Sequence, residues 1–277
     1  MRTECDCVRI LFFGDLTGPD ALAALARHLP EWRQEDKVDV VIVNAENAAV
    51  SRTDDPRRGF GMSVNAVDAL LAGGVDVITG GNHSWDTPDA AGALARAQVI
   101  RPLNVGSDLP GKGFVEIVAA GEPLAVVNLM GASATGGRYP VANPLISFES
   151  LGIGHANVIV DFHSESVTEK QAFAHAIDGQ AIAVLGTHTH EPSLLLHRLP
   201  RGTLFVADTG MVGPLDGVQG MTPEFYVREM RGVNPAGPFT LAKGRLFIGG
   251  MLIEARKNGG HHIERFPPEE RSDVRAT

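Results

Sequence analysis

The chain has 277 residues, 44% hydrophobic and 21% charged, with 24 basic groups against 33 acidic ones for a formal net charge of −9. That length suffices for one large domain or two small ones, and the mix excludes a disordered, collagen-like or disulfide-dense chain. The acidic balance argues against a protein that tracks nucleic acid along a broad basic face, and a phosphate-bearing ligand would need a local source of positive charge.

Cys5 and Cys7 are the only cysteines. They sit too close for a structural bridge and read as reduced thiols of a terminus. The opening MRTECDC is polar and acidic, unlike a signal peptide, and no apolar run approaches the ~20 residues of a membrane span. The expectation is a reduced, cytoplasmic protein without membrane association. Val8–Phe13 reads as a strand buried on both faces. Pro19 opens a helix that Pro30 should stop, and Val38–Val43 is the second strand. Ser63 caps a helix through Leu71 that Gly73-Gly74 ends. A third strand over Val75–Ile78 and a helix over Pro88–Ala97 follow.

The middle of the chain changes style. Gly113–Val118 and Leu124–Leu129 flank Ala120-Gly121-Glu122-Pro123 as an antiparallel hairpin, and Met130–Asn143 reads as a loop. Val158–Phe162, a helix over Thr168–Ile177, and Ala181–Leu185 repeat the strand–helix–strand order. Strands at Leu194–Leu199, Leu204–Ala207 and Leu246–Ile253 come next, and residues 267–277 have little to bury and read as a mobile tail. The pattern predicts an α/β sandwich, two sheets packed together with helices outside, in a single domain over residues 1–277.

In open α/β sheets ligands bind beyond the carboxyl ends of the strands, so those positions test for a site. Five strand ends deliver Asp15, then Glu46 and Asn47, then Asn82, then His163, then His188 and His190. Read singly, several of these are ordinary turn residues. Together they form a metal-ligand inventory of carboxylate, amide oxygen and imidazole without thiolate, which suits Mn, Fe, Zn or Co. Seven ligands exceed the needs of one ion. They suffice for two ions about 3.5–4 Å apart, bridged by a carboxylate and a water-derived hydroxide, which would also supply the missing positive charge.

The motifs GDLTG (14–18), NAENAA (44–49), GGNHSWD (80–86), DFHSE (161–165), GTHTH (186–190) and DTGMVGPLDGVQGM (208–221) together resemble the YmdB-like family of calcineurin-type metallophosphoesterases over roughly residues 8–255. The resemblance implies a four-layer α/β/β/α sandwich of two mixed sheets flanked by helices, and hydrolysis of phosphodiesters, notably 2′,3′-cyclic nucleotides. It implies one metal held by Asp15, Glu46, Asn47 and His190, and a second by Glu46, Asn82, His163 and His188, with Glu46 bridging. Fe or Mn comes first as the native metal, Zn or Co next. Where the broader superfamily has a histidine two residues after the first Asp this chain has Thr17, and Glu46 replaces the usual bridging Asp; both are features of the YmdB-like branch.

Within that mechanism His83, beside Asn82, is the general acid for the leaving oxygen. Asp86 reads as a helix cap before Thr87-Pro88, with orientation of His83 the alternative. Arg138 reads as a solvated loop arginine, with a substrate clamp the alternative. Two Trp and two Tyr offer no evident stacking platform for a base. The expected partner is a small phosphodiester or cyclic nucleotide, with long RNA entering only through a 2′,3′-cyclic end and homo-oligomerisation left open. Rival readings are a phosphomonoesterase or broad phosphatase on the same centre, and a regulatory protein whose metal site is structural.

Overall fold

The computed structural model describes residues 7–50, 52–53, 60–233, 239–267 and 273–275. Two mixed sheets dominate it. The first runs His262–Phe266, Gly250–Arg256, Cys7–Phe13, Val40–Asn44, Val77–Thr79. Its last three strands are parallel, and Gly250–Arg256 is antiparallel to both neighbours. The second runs Phe114–Ala119, Glu122–Met130, Val158–His163, Ala183–Thr187, Leu204–Val206, His197–Arg198. Here the middle four are parallel and the outer two antiparallel.

Successive residues of a strand point to opposite faces, so a strand covered on both sides must be apolar at every position. Ile10 and Phe12 turn toward the second sheet and meet Ile42, Val126, Ile159 and Leu185 in the core between the sheets. Leu11 and Phe13 turn outward onto Leu25, Leu29 and Trp32 of the helix Pro19–Glu35 and Val67 and Leu70 of Val64–Ala72. On the far side Val127, Val160 and Phe162 pack against Phe173 and Ala174 of the helix Val167–Ala176 and Phe148 of Pro144–Glu149. The layers are therefore helix, sheet, sheet, helix, as expected.

Several local expectations change. The first helix continues through Pro30 to Glu35. Trp32 is buried against Phe13 and Phe266, with ring centroids 6.0 and 5.3 Å away, and that burial offsets the hydrogen bond Pro30 cannot donate. The run Leu246–Ile253 is not one strand. It divides at Gly249 into Arg245–Ile248, paired with Val212–Pro214, and Gly250–Arg256 of the first sheet. Leu194–Leu199 is mostly loop, with only His197–Arg198 paired. Helices at Pro144–Glu149 and Pro223–Met230 were not anticipated. Cys5 and most of the expected mobile tail lie outside the described residues, although Asp273–Arg275 pairs with Arg245–Phe247. No helix among the described residues is long and apolar enough to cross a membrane.

Phe12 is fully buried between the sheets, so Phe12→Ala should lower unfolding stability by about 3–5 kcal/mol, measured by urea denaturation followed by far-ultraviolet circular dichroism.

Candidate metal centre

All five predicted strand ends meet at one edge of the two sheets. His163 closes its strand at the middle of the second sheet, and His188 and His190 follow the neighbouring strand Ala183–Thr187. His163 Nε2 lies 2.9 Å from Asn82 Oδ1, 3.1 Å from Glu46 Oε1 and 2.9 Å from His188 Nδ1. Glu46, His163 and His188 are close enough to share an ion, their ligand atoms lying within 4.8 Å of one another. On the other flank Asn47 Nδ2 is 3.1 Å from His190 Nε2. Asp15 joins the two flanks. Its Oδ2 accepts from the His188 backbone N–H at 2.8 Å, and its Oδ1 is 3.7 Å from His163 Nδ1.

The donors and acceptors here do not balance. His163 Nδ1 faces Thr187 Oγ1 at 2.9 Å, and that hydroxyl donates to Asp161 Oδ1 at 2.7 Å. Thr187 Oγ1, with its proton given to Asp161, can only accept from His163, so Nδ1 carries a proton. In a neutral ring Nε2 then holds the lone pair, and it faces Glu46 and Asn82 oxygens that also only accept. His190 Nδ1 lies 3.1 Å from the Gln219 carbonyl, which likewise leaves Nε2 for the centre. His188 Nε2 is 3.2 Å from Glu165, leaving its Nδ1. Asp15 Oδ1, Glu46 Oε2 and Asn47 Oδ1 are buried with no hydrogen-bond partner, a condition that costs about 1–3 kcal/mol per group. A set of inward-facing lone pairs with imidazoles oriented from behind is what a cation requires. The residues present therefore fit a metal.

Protonation shows the same frustration. Burial alone would raise the Glu46 carboxyl, but the His163 charge and hydrogen bond bring it down to about 2. Burial alone would lower His163, but Glu46 and then Asp15 lift it to about 9. A proton on His163 is thus the stand-in for a cation, and metal binding would displace it. Burial and then the His163 charge hold His188 well below the usual imidazole value. Burial raises Asp15 despite His190 and His163.

Two features permit this crowding. A Cβ on Gly81 would stand 1.7 Å from Glu46 Oε2 and 2.4 Å from His163 Nε2, so only glycine lets those ligands meet. His188 and His190 have φ of 102° and 66°, a left-handed conformation that residues with a Cβ adopt only when their surroundings impose it.

His83 lies beside this centre, its ring 4.5 Å from that of Phe60. Asp86 is not a helix cap; that position belongs to Asp89. Instead Asp86 Oδ2 is 2.7 Å from His83 Nδ1, and its Oδ1 accepts from Arg138 at 2.6 Å. Arg138 is not a solvated loop residue either, because Asp86 draws its guanidinium to 3.3 Å from His83 Nδ1. Both were legible only as local sequence, whereas the contact spans 52 positions of chain. Asp161 was also missed as a supporting residue. Its signal was a lone carboxylate inside the apolar strand Val158–His163.

Residues 11–266 match the model of a family described as YmdB-like protein. The chain belongs to the YmdB-like family. It is 33% identical over 252 residues to the 2′,3′-cyclic-nucleotide 2′-phosphodiesterase of Bacillus subtilis, covering 89% of this chain and 91% of that protein. Among solved structures it resembles a hypothetical protein of Thermus thermophilus, with 35% identity, a TM-score of 0.80 and coverage of 94% and 100% of the two chains. A phosphatase from Mycoplasma pneumoniae superposes with a TM-score of 0.83 at 29% identity over 94% of this chain and 93% of that one. These two structures share the four-layer arrangement of this YmdB-like chain across nearly its whole length.

Gly81→Ala should leave the far-ultraviolet circular dichroism spectrum unchanged and reduce bound metal per chain, measured by plasma mass spectrometry. Thr187→Val, which unhooks His163 from Asp161, should weaken metal affinity about 10–100-fold in a calorimetric titration.

Proposed function

We propose that this hydrolytic phosphoesterase is a cytoplasmic, metal-dependent phosphodiesterase acting on small phosphodiesters, in particular 2′,3′-cyclic nucleotides. The observation that carries this reading is the convergence of unpaired acceptor atoms at Glu46, flanked by Asn82, His163 and His188 on one side and Asp15, Asn47 and His190 on the other. Glu46 would be shared by two ions. Carboxylate, amide and imidazole donors without thiolate favour Fe or Mn, then Zn or Co. Two cations in this cradle would supply a nucleophile from water near neutral pH and neutralise charge on the phosphoryl oxygens.

The remaining chemistry falls to this chain's own side chains. Hydrolysis adds oxygen to phosphorus while the bond to the ribose oxygen breaks, and the departing oxygen keeps the electron pair and needs a proton. His83 is the group to deliver it, from Nε2, because Asp86 engages Nδ1 at 2.7 Å. Asp86 fixes the ring's orientation by holding Nδ1. Arg138 holds the other Asp86 oxygen, and the Phe60 ring limits rotation of the imidazole. His83→Ala should retain bound metal while lowering kcat about 10²–10⁴-fold; unchanged turnover would remove His83 from the reaction.

The substrate class draws on the Bacillus subtilis relative, whose described activity is on 2′,3′-cyclic nucleotides. The Mycoplasma pneumoniae relative is described as a phosphatase, which supports a second reading, phosphomonoester hydrolysis on the same centre. Bis-p-nitrophenyl phosphate and p-nitrophenyl phosphate separate them. Faster turnover of the diester, together with cleavage of 2′,3′-cyclic nucleotides and of RNA carrying that terminus, is the expected result. A preference for the monoester would favour the second reading.

A further inference from the structure

Outside the centre, one buried ionic contact has no part in the chemistry described so far. Lys170 lies on the inward side of the helix Val167–Ala176 and is completely buried. Its Nζ is 3.2 Å from Asp208 Oδ2. A lysine is almost never fully buried unless paired, and such a pair does little for stability alone, because an apolar pair of similar volume serves as well or better. The contact therefore asks for another reason.

Asp208 is where that reason lies. Besides Lys170, its Oδ2 accepts from the Thr189 backbone N–H at 3.0 Å and from Thr189 Oγ1 at 2.7 Å. Its Oδ1 accepts from the Gly210 N–H at 2.9 Å. Three donors thus converge on Oδ2 and one on Oδ1. Thr189 stands between His188 and His190, the two residues held in left-handed conformations. Asp208 grips Thr189 from one side while Asp15 accepts from the His188 N–H on the other. Pinned this way, the three-residue turn points Thr189 at Asp208 and presents both imidazoles to the centre. Lys170 supplies the countercharge that lets a buried carboxylate accept from so many donors. Its stem passes Gly186, where a Cβ would stand 2.9 Å from Lys170 Cδ and 1.9 Å from the Ala207 carbonyl.

We propose that Lys170, Asp208 and Thr189 form a positioning device that holds His188 and His190 in ligating geometry from outside the metal centre. This rests on the metal-binding reading of the site. Each acts through the backbone that carries the histidines.

The test is calorimetric titration of metal-stripped full-length protein with Mn²⁺, alongside thermal melting of the metal-free forms. Thr189→Val removes the hydroxyl bond and should weaken Mn²⁺ binding about 10-fold with little change in melting temperature, whereas Thr189→Ser should restore wild-type affinity. Lys170→Met should weaken binding about 10–100-fold and lower the melting temperature as well. Pairing it with Asp208→Asn removes the uncompensated charge, so melting should recover. Affinity should not, because an amide cannot accept from Thr189 and Gly210 together. Wild-type affinity in both Thr189→Val and the double variant would reduce the pair to a core contact and overturn the proposal. Failure of the wild-type protein to bind Mn²⁺, Fe²⁺, Zn²⁺ or Co²⁺ would overturn the metal-binding reading itself, and this inference with it.

Discussion

Everything at the functional edge depends on one buried carboxylate. Asp161 sits in the middle of the second sheet, yet it accepts from Asn44 at 2.8 Å and from Thr79, both at strand ends of the first sheet. On its own sheet it accepts from Thr187, the hydroxyl that orients His163. An isolated charge in this position would be prohibitively costly, and burial does push the Asp161 carboxyl up to about 6. The site is tolerated because three donors from two sheets converge on it. Asn128 adds a neighbouring bond by accepting from the Gly80 N–H. Sheet packing and ligand orientation are consequently one constraint: a shift of either sheet would unpair Asp161 and rotate His163 together.

Much of this was readable in the sequence, for a definite reason. Strands covered on both faces are apolar throughout, so the polar residues that end them stand out, and Asp15, Glu46, Asn47, Asn82, His163, His188 and His190 were found by that contrast. What escaped were relations between distant segments. Asp86 and Arg138 each look ordinary within their own loops, and only the fold shows that they share a bond beside His83. Lys170 belongs to an otherwise unremarkable polar helix, and nothing local reveals that it points inward. Pro30 read as a helix stop because the rule for proline is local, whereas the burial of Trp32 that carries the helix past it is not. Gly249 was likewise invisible inside an apolar run, although there one strand leaves a small sheet and the next enters a large one.

The net charge takes on a different sense in this setting. The chain is acidic overall, and the arginine nearest His83 is engaged by Asp86. Side chains alone therefore offer little to attract an anion. On the proposed reading, the attraction comes from ions held by the buried acceptors, confined to a region the size of one phosphoryl group. Such a site discriminates by reach: a small phosphodiester can enter it, and a long polyanion gains nothing further along the acidic surface.

The order of strands also bears on how the protein is made. The second sheet draws all its strands from residues 114–206, a contiguous stretch, whereas the first takes Cys7–Phe13 from one end and Gly250–Arg256 from the other. During synthesis Cys7–Phe13 waits with one edge unpaired until Gly250–Arg256 has left the ribosome. The later-made sheet can be complete before the earlier one. The edge where Asp15, Glu46 and Asn82 of one sheet meet His163, His188 and His190 of the other needs both sheets, so it is secured only after residues 250–256 have joined the first, and a product truncated before them would present an open strand edge.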